Sequence, residues 1–402
     1  MNSYNISKLF LYLFITLSIT NTIEWLYFIK IFSQYGKIII VLIGIIIFSY
    51  FSIKDKVLKL NNVIYLITFL TLLVIFAILF FYHKNISFYD SIFKTLMYIM
   101  YIIFIYYIVN NISLYYLRHF PNKNAKELVL LDIATIFQKT ILINIIIWTV
   151  LAIILHQSLY DADPTGGRSG FSAFTGDRMA FGLMLVTIYI STFILISTEK
   201  QNNLINKVIL IFLFILTIYS DARTAIMIEI IFTIIYYFQK KIKYLEFYIM
   251  FMFFILVYIA FYNFNISDLE KYSSGRVFIW LLVLKEKIND IWNGSGLFNF
   301  NHHILIKYRH LSYYFQRIDY LNFHSSYIEI FAGGGILTLF LYFIFIYKTY
   351  IKANKINKSI IFAISLGGCL EGYITQPAII LSSFFWIIVI LSNLRTNINN
   401  TI

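Results

Sequence analysis

The sequence predicts an all-α polytopic membrane protein with about twelve transmembrane helices. Three observations lead there. Of the 402 residues, 60% are hydrophobic and only 13% charged, with a mean hydropathy of +0.79. Apolar runs of about 18 residues or more recur from one end to the other, the length a helix needs to cross a bilayer. These runs are continuous and do not alternate, which excludes a transmembrane β-barrel. One cysteine, Cys369, excludes an internal disulfide and a cysteine-based metal cluster. The net charge of +13 is scattered over short loops and forms no soluble basic face. Its expected partners are therefore membrane lipids or an anionic substrate, and no nucleic acid.

Taken in order, the apolar runs between charged breaks give spans at 7–24, 38–53, 62–82, 91–109, 131–156, 177–197, 204–220, 224–238, 245–264, 325–347, 359–375 and 378–393. The first contains the stretch Leu9 to Ile19, lacks a small-residue cleavage site and is read as a retained helix. Alternate loops are rich in lysine and arginine: Lys54, Lys56 and Lys59; Arg118, Lys123 and Lys126; Lys200 and Lys207; Lys240, Lys241 and Lys243; Lys348, Lys352, Lys355 and Lys358. That asymmetry puts these loops and both termini in the cytoplasm.

The seventh and eighth spans need separate justification. Read as one helix over 204–238, they would sink Arg223 in lipid, where an arginine costs roughly 2.5 to 3.5 kcal/mol. They would also turn the later basic loops outward. A break at Ser220-Asp221-Ala222-Arg223 restores the alternation. Each half then reaches only about 22 Å against a hydrocarbon core of about 30 Å. The turn holding Arg223 is therefore expected below the outer surface, shielded from lipid by other helices. Residues 1–402 read as a single transmembrane domain without an internal repeat. One long outer loop, 265–324, joins the ninth and tenth spans, and a shorter outer segment covers 157–176.

Within the long loop, Val277, Leu281, Leu284, Ile288 and Ile291 recur at spacings of four and three. They predict an amphipathic helix on the membrane or over the bundle, capped by Ser273 or Ser274 and ended by Asn293-Gly294. Arg276 falls in its first turn, where free N–H groups favour an anion; a phosphate between the two would reconcile the cation with the helix dipole. His324 lies where the loop re-enters the membrane, and Glu329 about one turn inside. A histidine there serves either proton transfer or capping, while the carboxyl should face the protein interior. Gly333, Gly334 and Gly335 permit close approach of another helix. The stretch DPTGGRSGFSAFTGDRMAFG (163–182) brings Arg168, Asp177 and Arg178 to the same outer side, as ligands or as headgroup anchors. His302, His303 and His310 lack the spacing of a helical metal pair. Arginines from separate segments at one recess favour a diphosphate, which guanidinium binds through paired hydrogen bonds. For Arg223, a salt bridge to Asp221 is the competing way to offset desolvation.

Four stretches carry a resemblance to a known family: SDARTA (220–225), SSGRVFIW (273–280), WNGSGLFNF (292–300) and FHSSYIEIFAGGGILTLFLY (323–342). In order and spacing the set resembles the O-antigen polymerase and O-antigen ligase superfamily of bacterial envelope glycosyltransferases. Ser325 stands where that family has asparagine after its histidine, and the surroundings of Arg168 match only loosely. The resemblance implies a multi-pass enzyme of the bacterial plasma membrane that needs neither cofactor nor metal. Its substrate would be an undecaprenyl-diphosphate-linked oligosaccharide, with a chain-length regulator as a candidate partner. Arg223 and Arg276 would hold the donor diphosphate with help from Arg168 and Arg178. His324 and Glu329 would be catalytic, the histidine assisting the acceptor hydroxyl and the glutamate supporting the site. Polymerisation of repeat units into O-antigen or capsular polysaccharide is the expected activity. The alternatives are ligation of glycan to lipid A-core and, in a different class, flipping of the lipid-linked glycan.

Overall fold

In this chain many helices begin or end at a charged side chain, but a charged side chain does not always end a helix. The computed structural model describes residues 3–54, 58–84, 92–120, 124–162, 169–198, 204–242, 244–263, 276–308, 323–376 and 379–395. Among them are fourteen helices: α1 (Ser3–Thr20), α2 (Tyr27–Lys54), α3 (Val63–Lys84), α4 (Lys94–His119), α5 (Ala125–Ile154), α6 (Arg178–Thr198), α7 (Leu204–Tyr219), α8 (Arg223–Phe238), α9 (Leu245–Asn263), α10 (Arg276–Lys287), α11 (Asn299–Tyr308), α12 (Ser326–Lys352), α13 (Lys355–Gly367) and α14 (Ile380–Asn393). Each expected span falls on a helix, but six are long and apolar enough to cross a membrane: α2, α3, α4, α5, α6 and α12. Shorter apolar helices include α7, α14 and the first part of α9. The architecture is that of an all-α membrane protein, with one addition. Tyr160–Ala162 (β1) pairs antiparallel with Ser169–Phe171 (β2), a small hairpin in what the sequence suggested was plain outer loop.

Several expected boundaries are corrected. Helix α2 runs on through Lys30 and Lys37, and Lys37 is only 4% exposed, packed inside the bundle. Arg118 lies in the last turn of α4 and Lys126 in the first turn of α5, so the basic loop between them is shorter than hydropathy implies. The expected span 359–375 stops at Gly367. Irregular backbone follows through Gln376, in a stretch carrying Gly368 and Gly372, residues that favour breaks.

Polar contacts sort the helix ends into two groups. At one end Lys8 and Tyr4 of α1 reach Asp132 of α5 at 2.6 and 2.8 Å. The Asn61 N–H donates to the Asn393 carbonyl at 2.8 Å, and Tyr350 donates to Glu246 at 2.6 Å. At the other end Trp25 donates to the Phe174 carbonyl at 2.8 Å, and the hydroxyls of Tyr160 and Tyr219 meet at 2.5 Å. These contacts put ends of α1, α3, α5, α9, α12 and α14 in the first group, and the end of α7 with the segments next to α1 and α6 in the second.

The outer segment is anchored through backbone. Gly335 has φ 71° and ψ −179°, which breaks α12 into two pieces. Residues 291–296 fill the break: the Ser295 and Gly296 N–H groups donate to the carbonyls of Ala332 and Gly333 at 3.2 and 2.8 Å, and the Ile336 N–H donates to the Ile291 carbonyl at 2.9 Å. The three glycines therefore admit an irregular strand of backbone and not another helix, as the sequence reading had it. Polar groups freed by the kink regain partners, the condition for irregular backbone at membrane depth.

The face of α10 also differs from expectation. Val277, Ile279, Leu282 and Val283 are buried, and the last three pack against Phe300 and Ile304 of α11 and Phe323. Leu281, Leu284 and Ile288 are exposed, and the helix ends at Lys287, short of Asn293-Gly294. The helix has two apolar stripes: of the expected set Val277 is buried, and Leu281, Leu284 and Ile288 form an exposed apolar face beside the stripe that packs on α11. The expected caps Ser273 and Ser274 lie outside the described residues.

Lys287 is buried, donates to the Asn293 carbonyl at 2.9 Å and lies 4.5 Å from the ring centre of Phe300. Burial pushes its ammonium down to about 8, with nearby Asp290 opposing the shift. Between about 8 and the ordinary value of about 10.4, the unfolded chain holds the proton and the folded chain does not, so stability rises with pH across that window. Heating curves of purified protein at about pH 7.5 and about pH 10 will show this rise. Lys287→Met will flatten it; an unchanged slope would mean that the ammonium is solvated.

Candidate functional site

Four segments place charged side chains at the second group of helix ends, each at or just before a helix start. Asp177 precedes α6 and caps it: its carboxylate accepts from the Met179 N–H at 2.8 Å. Burial raises the Asp177 carboxyl above its ordinary range, opposed by hydrogen bonds from the Met179 and Ala180 N–H groups and reinforced by the charges of Asp161 and Glu371. Arg178 opens α6, and its guanidinium lies 3.6 Å from Asp221.

Asp221 sits in the turn between α7 and α8 with φ 53°, a left-handed conformation uncommon for aspartate. Its carboxylate stands between two guanidiniums, with Arg223 at 3.9 Å on the other side. The turn itself is packed: Ser220 and Ala222 are buried, and Gly170 of β2 approaches the Ser220 carbonyl so closely that any Cβ would clash. Below it, Glu229 of α8 accepts from Thr217 of α7 at 2.9 Å, tying the two short helices together. Arg223, by contrast, is 59% exposed. Neighbouring residues therefore cover the backbone of the turn, while the guanidinium is open to an approaching ligand.

Arg276 opens α10. Its guanidinium meets Glu371 at 2.5 Å and donates to the Leu370 carbonyl at 2.8 Å. The same carboxylate faces His324, whose Nδ1 is 3.5 Å from the other oxygen. His324 has φ 50°, a second left-handed residue at the site. Ser325 follows as the N-cap of α12, and Ser326 holds the irregular segment: its N–H and hydroxyl both donate to the Glu371 carbonyl, at 3.1 and 2.8 Å. Glu371 is thus fixed through backbone by α12 and through side chain by Arg276 and His324.

The two charged groups lie side by side. Gly367, four residues before Glu371, abuts Ile228 of α8 so tightly that a Cβ there would collide with it, and Ile228 is five residues past Arg223. One turn into α6, Gly182 touches Ala222 and Ala225 in the same manner. The field of Glu371 also reaches Asp177. Arg178, Arg223 and Arg276 therefore share one end of the bundle, each beside a carboxylate. Arg168 lies outside the described residues.

Glu329 is placed differently. Its carboxylate is buried and accepts from the Phe298 N–H at 2.5 Å and the Asn301 side chain at 3.2 Å. It thereby caps the start of α11 and locks that helix onto α12. Sequence reasoning missed Glu371. The usable signal was a carboxylate within LGGCLEGYITQP, where two glycine breaks argue against the uninterrupted helix drawn through it.

No family model matches this chain, and no curated protein matches it. What the site can do follows from its own groups. Asp221 and Glu371 hold the three guanidiniums in place, and Asp161 and Asp177 add negative charge nearby, so an anionic ligand must displace carboxylates to reach the arginines, most readily at Arg223, whose pairing is longest and most open. The helix starts beside it add oriented N–H groups of the same sign. A histidine backed by a carboxylate stands at the adjoining edge, an arrangement suited to taking a proton.

Proposed function

We propose that this chain joins undecaprenyl-diphosphate-linked oligosaccharide repeat units into O-antigen or capsular polysaccharide on the outer face of the bacterial plasma membrane. In this reading the twelve alternating helices all cross the bilayer and both termini are cytoplasmic. Supporting that orientation, Lys126, Lys207, Lys240, Lys348, Lys352, Lys355 and Lys358 lie toward the end opposite the arginines.

The observation that carries the proposal is the pairing of Arg276, Glu371 and His324 beside Arg178, Asp221 and Arg223. Arg223 and Arg178 receive the donor diphosphate, with Arg276 as the third cation. An acceptor hydroxyl at His324 attacks the anomeric carbon of the donor sugar. Its oxygen forms the new glycosidic bond while the bond from that carbon to the diphosphate oxygen breaks. The proton passes to His324 Nε2, because Nδ1 faces Glu371, and the lipid diphosphate leaves with its charge held by the arginines. Glu371 orients the imidazole and balances the charge it acquires. The chemistry asks for cations, orientation and a base, all of which these residues supply.

Arg223→Ala tests this in cells. Surface glycan separated on a gel will collapse from a ladder to a single attached repeat unit, a loss of about 100-fold or more in extension. Long chains at normal protein abundance would reject the site. Loss of all attached glycan would instead identify transfer to lipid A-core as the step.

A further inference from the structure

A second cavity lies away from the arginines. It has a volume of about 340 Å³ and opens between the end of α10, the start of α11 and the outer half of α3. That volume falls in the range of small-ligand sites. One wall is aromatic, built from Phe76 and Phe80 of α3 with Phe300 of α11. The polar part of the lining comes from Glu286, Lys287, Asp290, Asn293 and His303. His303 stacks on Phe300 at 5.4 Å between centroids and 27° between planes, and its Nε2 is 3.8 Å from Glu286. Glu286 also accepts from Lys307 at 2.7 Å and from Tyr308. Asn293 donates to Asp290 at 2.6 Å.

The chemistry of these walls selects among ligand classes. Lys287 also lines the cavity, but its ammonium is engaged by the Asn293 carbonyl and the Phe300 ring, and with Glu286 paired to Lys307 the Asp290 carboxylate is left to oppose a phosphate or another anion. Among the described residues, no cluster of three or more histidine, cysteine, aspartate or glutamate side chains could hold a metal ion. A purely apolar ligand would strip water from Asp290 and Asn293 without returning hydrogen bonds. An uncharged, polyhydroxylated ring fits both walls: its hydroxyls bond to carboxylate, amide and imidazole, and its C–H face lies against the aromatic rings. Glu286 is ten residues along α10 from Arg276, which places the cavity about 15 Å from the cation site.

We infer that this cavity is a saccharide subsite, holding an uncharged sugar residue of the glycan about 15 Å from the reacting carbon. The inference rests on the polymerase reading for its source of glycan, and on the cavity alone for its chemistry. It gives the outer segment a purpose beyond covering the bundle, since α10 would carry the cation for the diphosphate at one end and a sugar-binding wall at the other.

The test uses the full-length protein in lipid nanodiscs and oligosaccharide repeats released by mild acid from the surface glycan of the source cell. Saturation-transfer NMR and titration calorimetry will show binding to the wild type. Asp290→Ala will weaken it about tenfold or more, the loss expected for a hydrogen bond to a charged group. Leu79→Trp, which fills the cavity from the α3 side and leaves every polar side chain of the lining in place, will weaken it comparably. Both variants are to be compared at matched melting temperature and monodispersity. If wild-type protein binds no oligosaccharide, or both folded variants bind as tightly as wild type, the subsite is overturned. Extension of a lipid-linked repeat, measured on the same preparations, separates the two ideas. Normal extension without cavity-dependent binding removes the subsite and leaves the polymerase. Cavity-dependent binding without any extension supports the subsite and removes the polymerase.

Discussion

Arg276→Ala will lower the rate of chain extension about 100- to 1,000-fold, measured with purified protein and lipid-linked repeat units in vesicles. The expected size follows from two separate losses. In the reaction, one cation facing the departing diphosphate disappears. In the resting protein, Glu371, whose side chain is 8% exposed, loses the guanidinium it meets at 2.5 Å. Breaking a buried pair from one side destabilises by about 3 to 5 kcal/mol, because the remaining charge is uncompensated. These effects are separable. Arg276→Ala combined with Glu371→Gln removes the orphaned charge, so the folded yield and melting temperature will recover while extension stays low. Arg276→Lys will fold well yet recover only part of the rate, since an ammonium cannot reproduce the planar fork that holds both Glu371 and the Leu370 carbonyl. If the double variant extends chains normally, Arg276 is a structural partner of Glu371 and nothing more.

The difference between the readable and unreadable parts of this fold has a physical origin. Apolar runs locate helices because the bilayer imposes a length, and each run did fall on a helix. Helix ends obey other forces. Lys37 does not interrupt α2, because one buried lysine costs less than four unpaired backbone groups at a helix break would. Gly367 ends α13 because the irregular segment after it is held by Ser326, a partner forty residues earlier in sequence that no local pattern reveals. On α10 the same holds: periodicity shows that a face is apolar, and only the neighbouring helix decides which of two such faces is covered by protein.

The site divides along similar lines. Arg223, Arg276 and His324 stood out because a charge in an apolar chain is expensive and therefore conspicuous, and the structure gathers all three at one end of the bundle. The competing sequence reading of Arg223, a bridge to Asp221, is also present in loose form at 3.9 Å, with Arg178 sharing the carboxylate. Glu329 was conspicuous on the same grounds, and its charge caps α11. Glu371 was inconspicuous because it lay within a stretch already assigned to a helix. Conspicuous charge thus identifies residues that need a partner, without saying whether the partner is a substrate or the protein.

Gly335→Ala will destabilise the protein by about 3 kcal/mol or more, seen as loss of monodisperse protein and a lower melting temperature in detergent. At φ 71° and ψ −179°, Gly335 occupies a region essentially closed to residues with a Cβ. Strain is the smaller part of the penalty. A Cβ would also strike the Trp292 carbonyl, a backbone atom held in place by the hydrogen bonds from Ser295, Gly296 and Ile336 across the break in α12. Pushing residues 291–296 outward would unsatisfy those groups together. It would also pull Phe298 and Asn301 from Glu329, which loosens α11 and the wall of the saccharide cavity. Gly36→Ala in α2 is the matched control, for its Cβ meets only the mobile end of Leu17 at 3.3 Å. There the gain in helix propensity, about 0.5 to 1 kcal/mol, offsets a small adjustment, and the melting temperature will hold or rise. Equal melting of the two variants would mean that the outer segment does not depend on the break in α12. The coupling drawn here between the kinked helix, the Glu329 cap and the sugar-binding wall would then be lost as well.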